Sequence, residues 1–472
     1  WNESWTLPPG IEVINITHVV GALEHFTGEK ISLPDMKPSQ HYDEVMGDQA
    51  YKIRNQTWDQ YENAKNARGY DGAIAKNLTL AWDRYQKGNQ SLNNRSYYSA
   101  WSFFFQSLIS SRFVTNYVEY LDASSSVKEG VMENITNDTA ERIEDVNSSI
   151  RPKYITTMYQ LQTIGAAQQR IHEAWLRFNT CGNDKIRKIY NLSHAYERAN
   201  SAEWWLMEEP NSKDDKLPKI DNIYRWSVEN AEQLLAYIES LSIPEVHIIE
   251  GGATAESLSS LFNKASLLLN QSSQVYKWGY KGGAVLYAME AKAFTETYLK
   301  AIDQLRREKK LEILERDINI LVGILPIEVI TINERVPAVS LENLTKAAEN
   351  HTVIAEYMAD RSMGVAQSRG YEPILAMAYF EWGGTLKSGA LEEESWGALL
   401  TILSANSYHM LAQVIARPMG YIGEQWIDLP EPSPEEDDNF LFGLAVGVAI
   451  GAISAIVLGA VVLASSRGKP EE

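Results

Sequence analysis

The chain has 472 residues and a formal net charge of −19. That charge excludes a nucleic-acid or anionic-lipid surface for the bulk of the chain. At 44% hydrophobic and 10% aromatic residues, the sequence can bury a sizeable core spread over about two to four domains.

Residues 1–33 are patterned differently from the rest of the chain. Gly10-Ile11-Glu12-Val13-Ile14-Asn15-Ile16 alternates apolar and polar residues, which predicts a short strand. Thr17 then caps a short helix, HVVGALEHF, which Gly28 ends. A lone strand and helix have no sheet to join, so this segment reads as the remnant of an upstream domain. The chain starts at Trp1 without an apolar leader, which predicts a processed product.

After a linker-like stretch, Pro34–Ser39, the periodicity becomes helical. Apolar residues at i, i+3, i+4 spacing predict helices over Asp48–Asn66, Gly72–Lys87, Tyr97–Leu121, Tyr154–Phe178, Lys185–Met207 and Arg225–Leu241. The same spacing predicts helices over Ala255–Lys277, Ala284–Leu321, Leu341–Gln367, Ile374–Leu386 and Glu394–Ile415. Ile243–Glu250 and Ile327–Val336 are non-helical and read either as paired strands or as extended connectors. Three stretches, starting at Ala81, Ala265 and Tyr357, share one order: helix, Gly/Asn/Ser break, aromatic residue, second helix. That is the pattern of antiparallel hairpins such as tetratricopeptide repeats, although the copies are irregularly spaced.

Near the end, Phe440–Ala464 holds no charged residue and is long enough to cross a bilayer as a helix. Pro430–Asp438 before it is acidic and proline-rich, and Arg467 and Lys469 lie beyond it. Positive charge marks the cytoplasmic side, so the N-terminal part is expected outside and the C-terminus in the cytoplasm. Gly443, Gly447, Gly451, Ala455 and Gly459 place a small-residue stripe on one face of that helix. Such stripes let helix backbones approach closely, which predicts a homo-oligomer or a membrane partner.

Thirteen N-x-S/T sequons support the same orientation. They lie at Asn2, Asn15, Asn55, Asn77, Asn89, Asn94, Asn134, Asn137, Asn147, Asn191, Asn270, Asn343 and Asn350, all on the outer side of the expected span. The single cysteine, Cys181, allows no intramolecular disulfide. An outward-facing glycoprotein without disulfides suits an archaeal cell surface better than an animal secretory pathway.

The segment IEVINITHVVGALEHFTG, residues 11–28, resembles the end of the proteolytic domain in archaeal membrane-anchored Lon-like serine proteases. The likeness continues weakly through the helical hairpins and Ala416-Arg417-Pro418-Met419-Gly420. The resemblance implies that the catalytic Ser and Lys would lie on an upstream part, so it implies origin and association rather than activity.

Other constellations are weak. His172-Glu173 lacks the second histidine of a zinc-protease helix. His194 and Glu197 have the i, i+3 spacing of di-iron bundles without a second copy, and His194 reads as a helix-surface residue. Acidic runs at Glu208-Glu209, Glu392-Glu394 and Glu435-Asp438 read as solvated. Trp101 to Phe105, Trp204-Trp205 and Tyr97-Tyr98 read as core, with some surplus for a binding groove. Neither a catalytic nor a metal site is assigned, and no cofactor is expected.

The expected architecture is mainly α. It comprises a strand-helix remnant (1–33), two helical ectodomain regions (34–242 and 243–427), a stalk (428–439), a transmembrane helix (440–464) and a cytoplasmic tail (465–472). The expected function is a non-catalytic extracellular scaffold or protein-interaction module. The alternatives are an accessory part of an active membrane-bound Lon-type peptidase, or a structural surface-layer or appendage component.

Overall fold

The computed structural model describes residues 34–421, except 68–70, 152, 181, 183, 208–216, 218, 242–246, 250–252, 255–258, 308–311, 323–327 and 391–394. The expected strand-helix remnant, stalk, transmembrane helix with its small-residue stripe, tail, acidic runs and Cys181 therefore lie outside the described residues.

The described chain is mainly α, with twelve helices packed as antiparallel pairs. They are α1 (Gln40–Asn66), α2 (Gly72–Asn93), α3 (Tyr97–Asp122), α4 (Lys128–Ile150), α5 (Met158–Asn179) and α6 (Lys185–Glu203). Next come α7 (Ile220–Ser240), α8 (Ser259–Lys277), α9 (Lys281–Arg307), α10 (Leu341–Ser368), α11 (Ile374–Ala390) and α12 (Trp396–Tyr421). Their starts obey capping chemistry. Ser39, Asp71, Thr157, Asp184 and Ser340 each accept a backbone N–H from the first turn of the adjoining helix.

Most predicted helix ends shift by a few residues, and two elements depart further from the sequence reading. Helix α4 has no counterpart among the predicted runs. Its buried stripe is Val131, Ile135, Thr139, Ile143, Val146 and Ile150, and the polar Thr139 interrupts the apolar signal. Thr139 fits because its hydroxyl donates to the Ile135 carbonyl at 2.7 Å. The predicted helix Ala284–Leu321 is also corrected. Helix α9 ends at Arg307, and a strand, Glu312–Val322, pairs antiparallel with a strand, Glu328–Ser340. The basic run Arg306-Arg307-Glu308-Lys309-Lys310 separates these elements, and the Ile/Val-rich sequence beyond it favours an extended backbone. The short strand His247–Ile249 runs parallel to the end of the longer one, with His247 opposite Ala338, and pairs antiparallel with Ala253–Thr254. Of the two segments left open as strands or connectors, both contain strand, but they do not pair with each other: His247–Ile249 pairs with residues 338–340, just past the second segment, which itself pairs with Glu312–Val322.

The three hairpins of the weak repeat share one turn geometry. Arg95 (φ 60°), Gly279 (φ 85°) and Gly370 (φ 85°) are the left-handed residues among the described residues. Each sits just past its first helix. In each hairpin the next residue's N–H reaches back five positions: Ser96 to the Ser91 carbonyl at 2.9 Å, Tyr280 to Val275 at 3.1 Å, and Tyr371 to Ala366 at 3.1 Å. This is the Schellman closure, in which a left-handed residue lets the chain cap the last carbonyls and reverse.

One large hydrophobic cluster draws on both expected ectodomain regions, from Tyr42 and Met46 to Ile415 and Met419. Helix α3 packs on α1, α2, α6 and α11, while α9 packs on α5, α7, α8 and α12. Close helix approach is set by glycine where α5 crosses α9. A Cβ on Gly165 would stand 3.1 Å from the Gly282 backbone, and one on Gly282 would stand 3.0 Å from the Gly165 Cα.

One described helix near the C-terminus, Trp396–Met419 within α12, is long and apolar enough to cross a membrane. In this fold 72% of its apolar window is buried, so its side chains serve the bundle core. All described residues fall within a unit that ends at Ile422.

Candidate interaction surface

The aromatic residues separate into a core set and a surface set. Trp101 (2% exposed), Phe104 (0%) and Trp205 (1%) lie in the core, with Tyr98 and Trp204 also buried. Tyr97 and Phe105 pack half-buried against the same cluster. The core reading of these residues therefore holds. Phe103 stands edge-on to Trp382, with ring centroids 5.4 Å apart.

The surface set was not picked out from the sequence. Trp58 and Tyr61 lie at i, i+3 on α1, and Trp82 and Tyr85 lie at i, i+3 on α2, so each pair shares a helix face. Packing α1 beside α2 brings the pairs together. Ring centroids are 5.4 Å apart for Trp58–Tyr85, 5.4 Å for Tyr61–Trp82 and 5.9 Å for the stacked Trp82–Tyr85. Tyr85 continues inward to Phe104 at 5.8 Å, and that ring sits where Gly88 leaves room, since a Cβ there would meet it at 2.5 Å. Contacts of this kind contribute about 0.5–1.5 kcal/mol each beyond burial, so the patch is held rigidly. Its outer members stay open to solvent, Trp58 at 39% and Trp82 at 41%. Tyr51 and Leu80 are exposed large apolar residues on the same two helices. Rigid exposed aromatics are the residue types enriched at protein interfaces. The repeated i, i+3 aromatic pair on consecutive helices was the signal available in the sequence.

Buried charge is arranged differently. A cleft of about 470 Å³ is lined by Glu173, His194, Arg198, Lys264, Glu290 and Tyr408, among others. Glu173 pairs with Arg198. Burial alone would raise the Glu173 carboxyl, but Arg198 and Arg170 carry it below the usual carboxylate range. Glu290 accepts from Gln169 Nε2 at 2.6 Å and lies 4.0 Å from Lys264 Nζ; burial dominates and raises it. His194, expected on the helix surface, is half-buried at the cleft wall. Its ring meets Phe105 edge-on at 5.8 Å, and burial together with Arg198 and Arg177 pushes it down to about 3. Glu197, its i+3 neighbour, is 1% exposed and turns instead to Arg112 on α3. His172 is also held neutral, lowered by burial to about 4, with Nδ1 3.0 Å from the Tyr287 hydroxyl. Glu173 is compensated by its arginines, Glu290 only in part by Lys264 and Gln169, and the two histidines are held neutral. The cluster holds helices together through these pairings. Among the described residues, no group of three or more His, Cys, Asp or Glu is placed to hold a metal ion.

The sequons divide by exposure. Asn2 and Asn15 lie outside the described residues. Asn55, Asn94, Asn134, Asn137, Asn270, Asn343 and Asn350 are exposed, and Asn77 and Asn89 are half-buried. Asn147 and Asn191 are buried, at 1% and 6% exposed. Asn147 accepts from the Tyr280 hydroxyl and donates to Glu144 Oε2 at 3.2 Å. Asn191 donates to the Thr180 carbonyl at 3.3 Å. A glycan on either nitrogen would displace those bonds and the packing around them.

No protein family, curated protein or solved structure matches this chain. The functional reading therefore rests on these residues and the sequence around them.

Proposed function

We propose that this chain is a glycosylated, membrane-anchored extracellular scaffold that binds protein partners and is not itself a catalyst. The observation that carries the reading is the rigid ring cluster on the α1/α2 hairpin, in which Trp58 and Trp82 are exposed beside half-buried Tyr61. A large exposed aromatic group is costly in water unless a partner covers it. The tetratricopeptide-like order of the hairpins supports the scaffold role, because stacked helix pairs offer extended surfaces. The charge-free segment Phe440–Ala464 supports a single anchor, and the exposed sequons support an outward-facing body. The Lon-type resemblance of residues 11–28 supplies the partner class: a serine peptidase domain from the same precursor.

The test is quantitative mass spectrometry of the full chain crosslinked in its own membranes and purified in mild detergent. A Lon-type domain recovered in equal amounts, and lost about tenfold from a Trp58→Ala/Trp82→Ala variant, supports the reading. Recovery unchanged by that variant removes the aromatic patch from it. A lattice or filament built from this chain alone replaces it with a structural surface layer.

A further inference from the structure

A second group of aromatics lies where α4, α5 and the α8/α9 turn meet: exposed Trp278, half-buried Trp175 and buried Tyr280. Asn147 on α4 and Arg151, which caps its end, are at i, i+4, and Trp175 and Asn179 are at i, i+4 on α5. Each pair presents to one side of its helix. Trp278 and Tyr280 flank Gly279, whose φ of 85° reverses the chain and directs both rings to the same junction. Together these six residues line an open pocket of about 420 Å³. That volume lies in the range typical of small-molecule sites.

The pocket is built. The Tyr280 hydroxyl donates to the Asn147 side-chain carbonyl across the junction. The His172 ring, fully buried, stands edge-on to the Trp278 indole at 5.0 Å and fixes one side of it. Trp175 is braced by Phe178 at 5.6 Å. Trp278 nonetheless remains 51% exposed, although the ordinary place for an indole is a core.

The lining chemistry narrows the ligand. An anion is disfavoured because the single cation, Arg151, already has Glu144 at 3.6 Å. A quaternary ammonium is disfavoured because the lining holds Arg151 and no carboxylate. A purely apolar ligand would cover the Asn179 amide without offering it a hydrogen bond. What remains is a molecule with flat C–H faces and hydroxyls around its edge. Indole faces accept the C–H face, while planar amide and guanidinium forks bond adjacent hydroxyls.

We propose that this pocket binds a neutral saccharide, with Trp278 and Trp175 as stacking platforms and Asn179 and Arg151 as hydroxyl partners. The site lies apart from the α1/α2 patch in sequence and element, so it stands or falls independently of the scaffold reading.

The test is saturation-transfer NMR and calorimetry on the full chain in a detergent without a sugar headgroup. The probes are neutral trisaccharides of glucose, mannose, galactose and N-acetylglucosamine, alongside a sulfated trisaccharide, tetramethylammonium and a tryptophan-containing peptide. At least one neutral trisaccharide is expected to bind, with transfer from its ring protons. Trp278→Ala and Asn179→Ala are each expected to weaken it at least about tenfold. Both residues are exposed, so an unchanged melting temperature separates lost binding from lost folding, and Trp82→Ala serves as the control that keeps binding. The proposal is overturned if no neutral trisaccharide binds at millimolar concentration, if binding survives both variants, or if only one of the other probes binds.

Discussion

The Tyr280 hydroxyl donates to the side-chain carbonyl of Asn147, joining the start of the α9 region to the end of α4. The bond decides between two uses of one asparagine. As sequence, Asn147-Ser148-Ser149 is a glycan acceptor; in the fold its amide is a buried structural group. Peptide mapping of the native protein should therefore show glycan at Asn134 and Asn137, on the same helix, and none at Asn147. Asn147→Ala leaves the Tyr280 hydroxyl without that partner and should cost about 1–3 kcal/mol in chemical denaturation. Asn137→Gln, at an exposed site, should stay within about 0.5 kcal/mol. Full glycosylation of Asn147 in a folded, native-melting protein would contradict this assignment.

The α5/α9 crossing depends on two glycines facing one another. Gly165→Ala drives a methyl against the Gly282 carbonyl group, which is backbone and cannot rotate away. The expected loss is about 1–3 kcal/mol, the usual range for overpacking. Gly384, inside α11, has nothing within 4 Å of its Cβ position. There Gly384→Ala should stabilise by about 0.5–1 kcal/mol through helix propensity alone. Equal effects from the two substitutions would show that the crossing is looser than described.

Most of the helices were legible because their apolar stripes keep the helical period without interruption, as in Leu341–Gln367 against the observed Leu341–Ser368. Helix α4 was hidden because Thr139 holds a core position and sequon residues fill the outer face. The α9 boundary was hidden because Leu311, Ile313, Leu314, Ile318 and Ile320 prolong an apolar signal that suits a strand as well as a helix. The interaction surface escaped for a different reason. The i, i+3 aromatic pairs are visible in the sequence, but only the fold shows that Trp58 and Trp82 are the members left exposed. The small-residue stripe from Gly443 to Gly459 lies outside the described residues.

The shared hairpin turn makes an asymmetric prediction. Gly279 occupies a left-handed conformation at no steric cost, whereas Arg95 holds the equivalent position with a side chain. Gly279→Ala should destabilise by about 1 kcal/mol or more, because the native backbone disfavours any Cβ. Arg95→Gly should stabilise or be neutral, and it leaves the Asn94-x-Ser96 sequon intact. Denaturant midpoints of the two variants check this directly. Destabilisation by Arg95→Gly would mean that the arginine side chain contributes more than the turn strain removes.

Acid should loosen the fold through its buried histidines. His194 is lowered to about 3 by burial, Arg198 and Arg177, against the opposing pull of Glu173. His172 is lowered to about 4 by burial, with Glu173 opposing. Both are neutral in the folded chain and bind a proton near pH 6.5 when it unfolds, so their stabilisation is present above pH 6.5 and lost as pH falls toward 4. Glu381 acts in the opposite direction. Burial raises it to about 7 despite its bonds from Ser99 and Tyr42, so its preference for the folded state is present below about pH 4.5 and lost as pH rises to 7. Each proton difference contributes a slope of about 1.4 kcal/mol per pH unit. Between pH 6 and 5, His194→Leu should therefore remove about 1 kcal/mol per pH unit of acid destabilisation, whereas Glu381→Gln should steepen the loss by a similar amount. Denaturant unfolding of both variants at pH 5, 5.5 and 6 measures the two slopes. Parallel curves for wild type and His194→Leu would mean that His194 takes up its proton without leaving the fold.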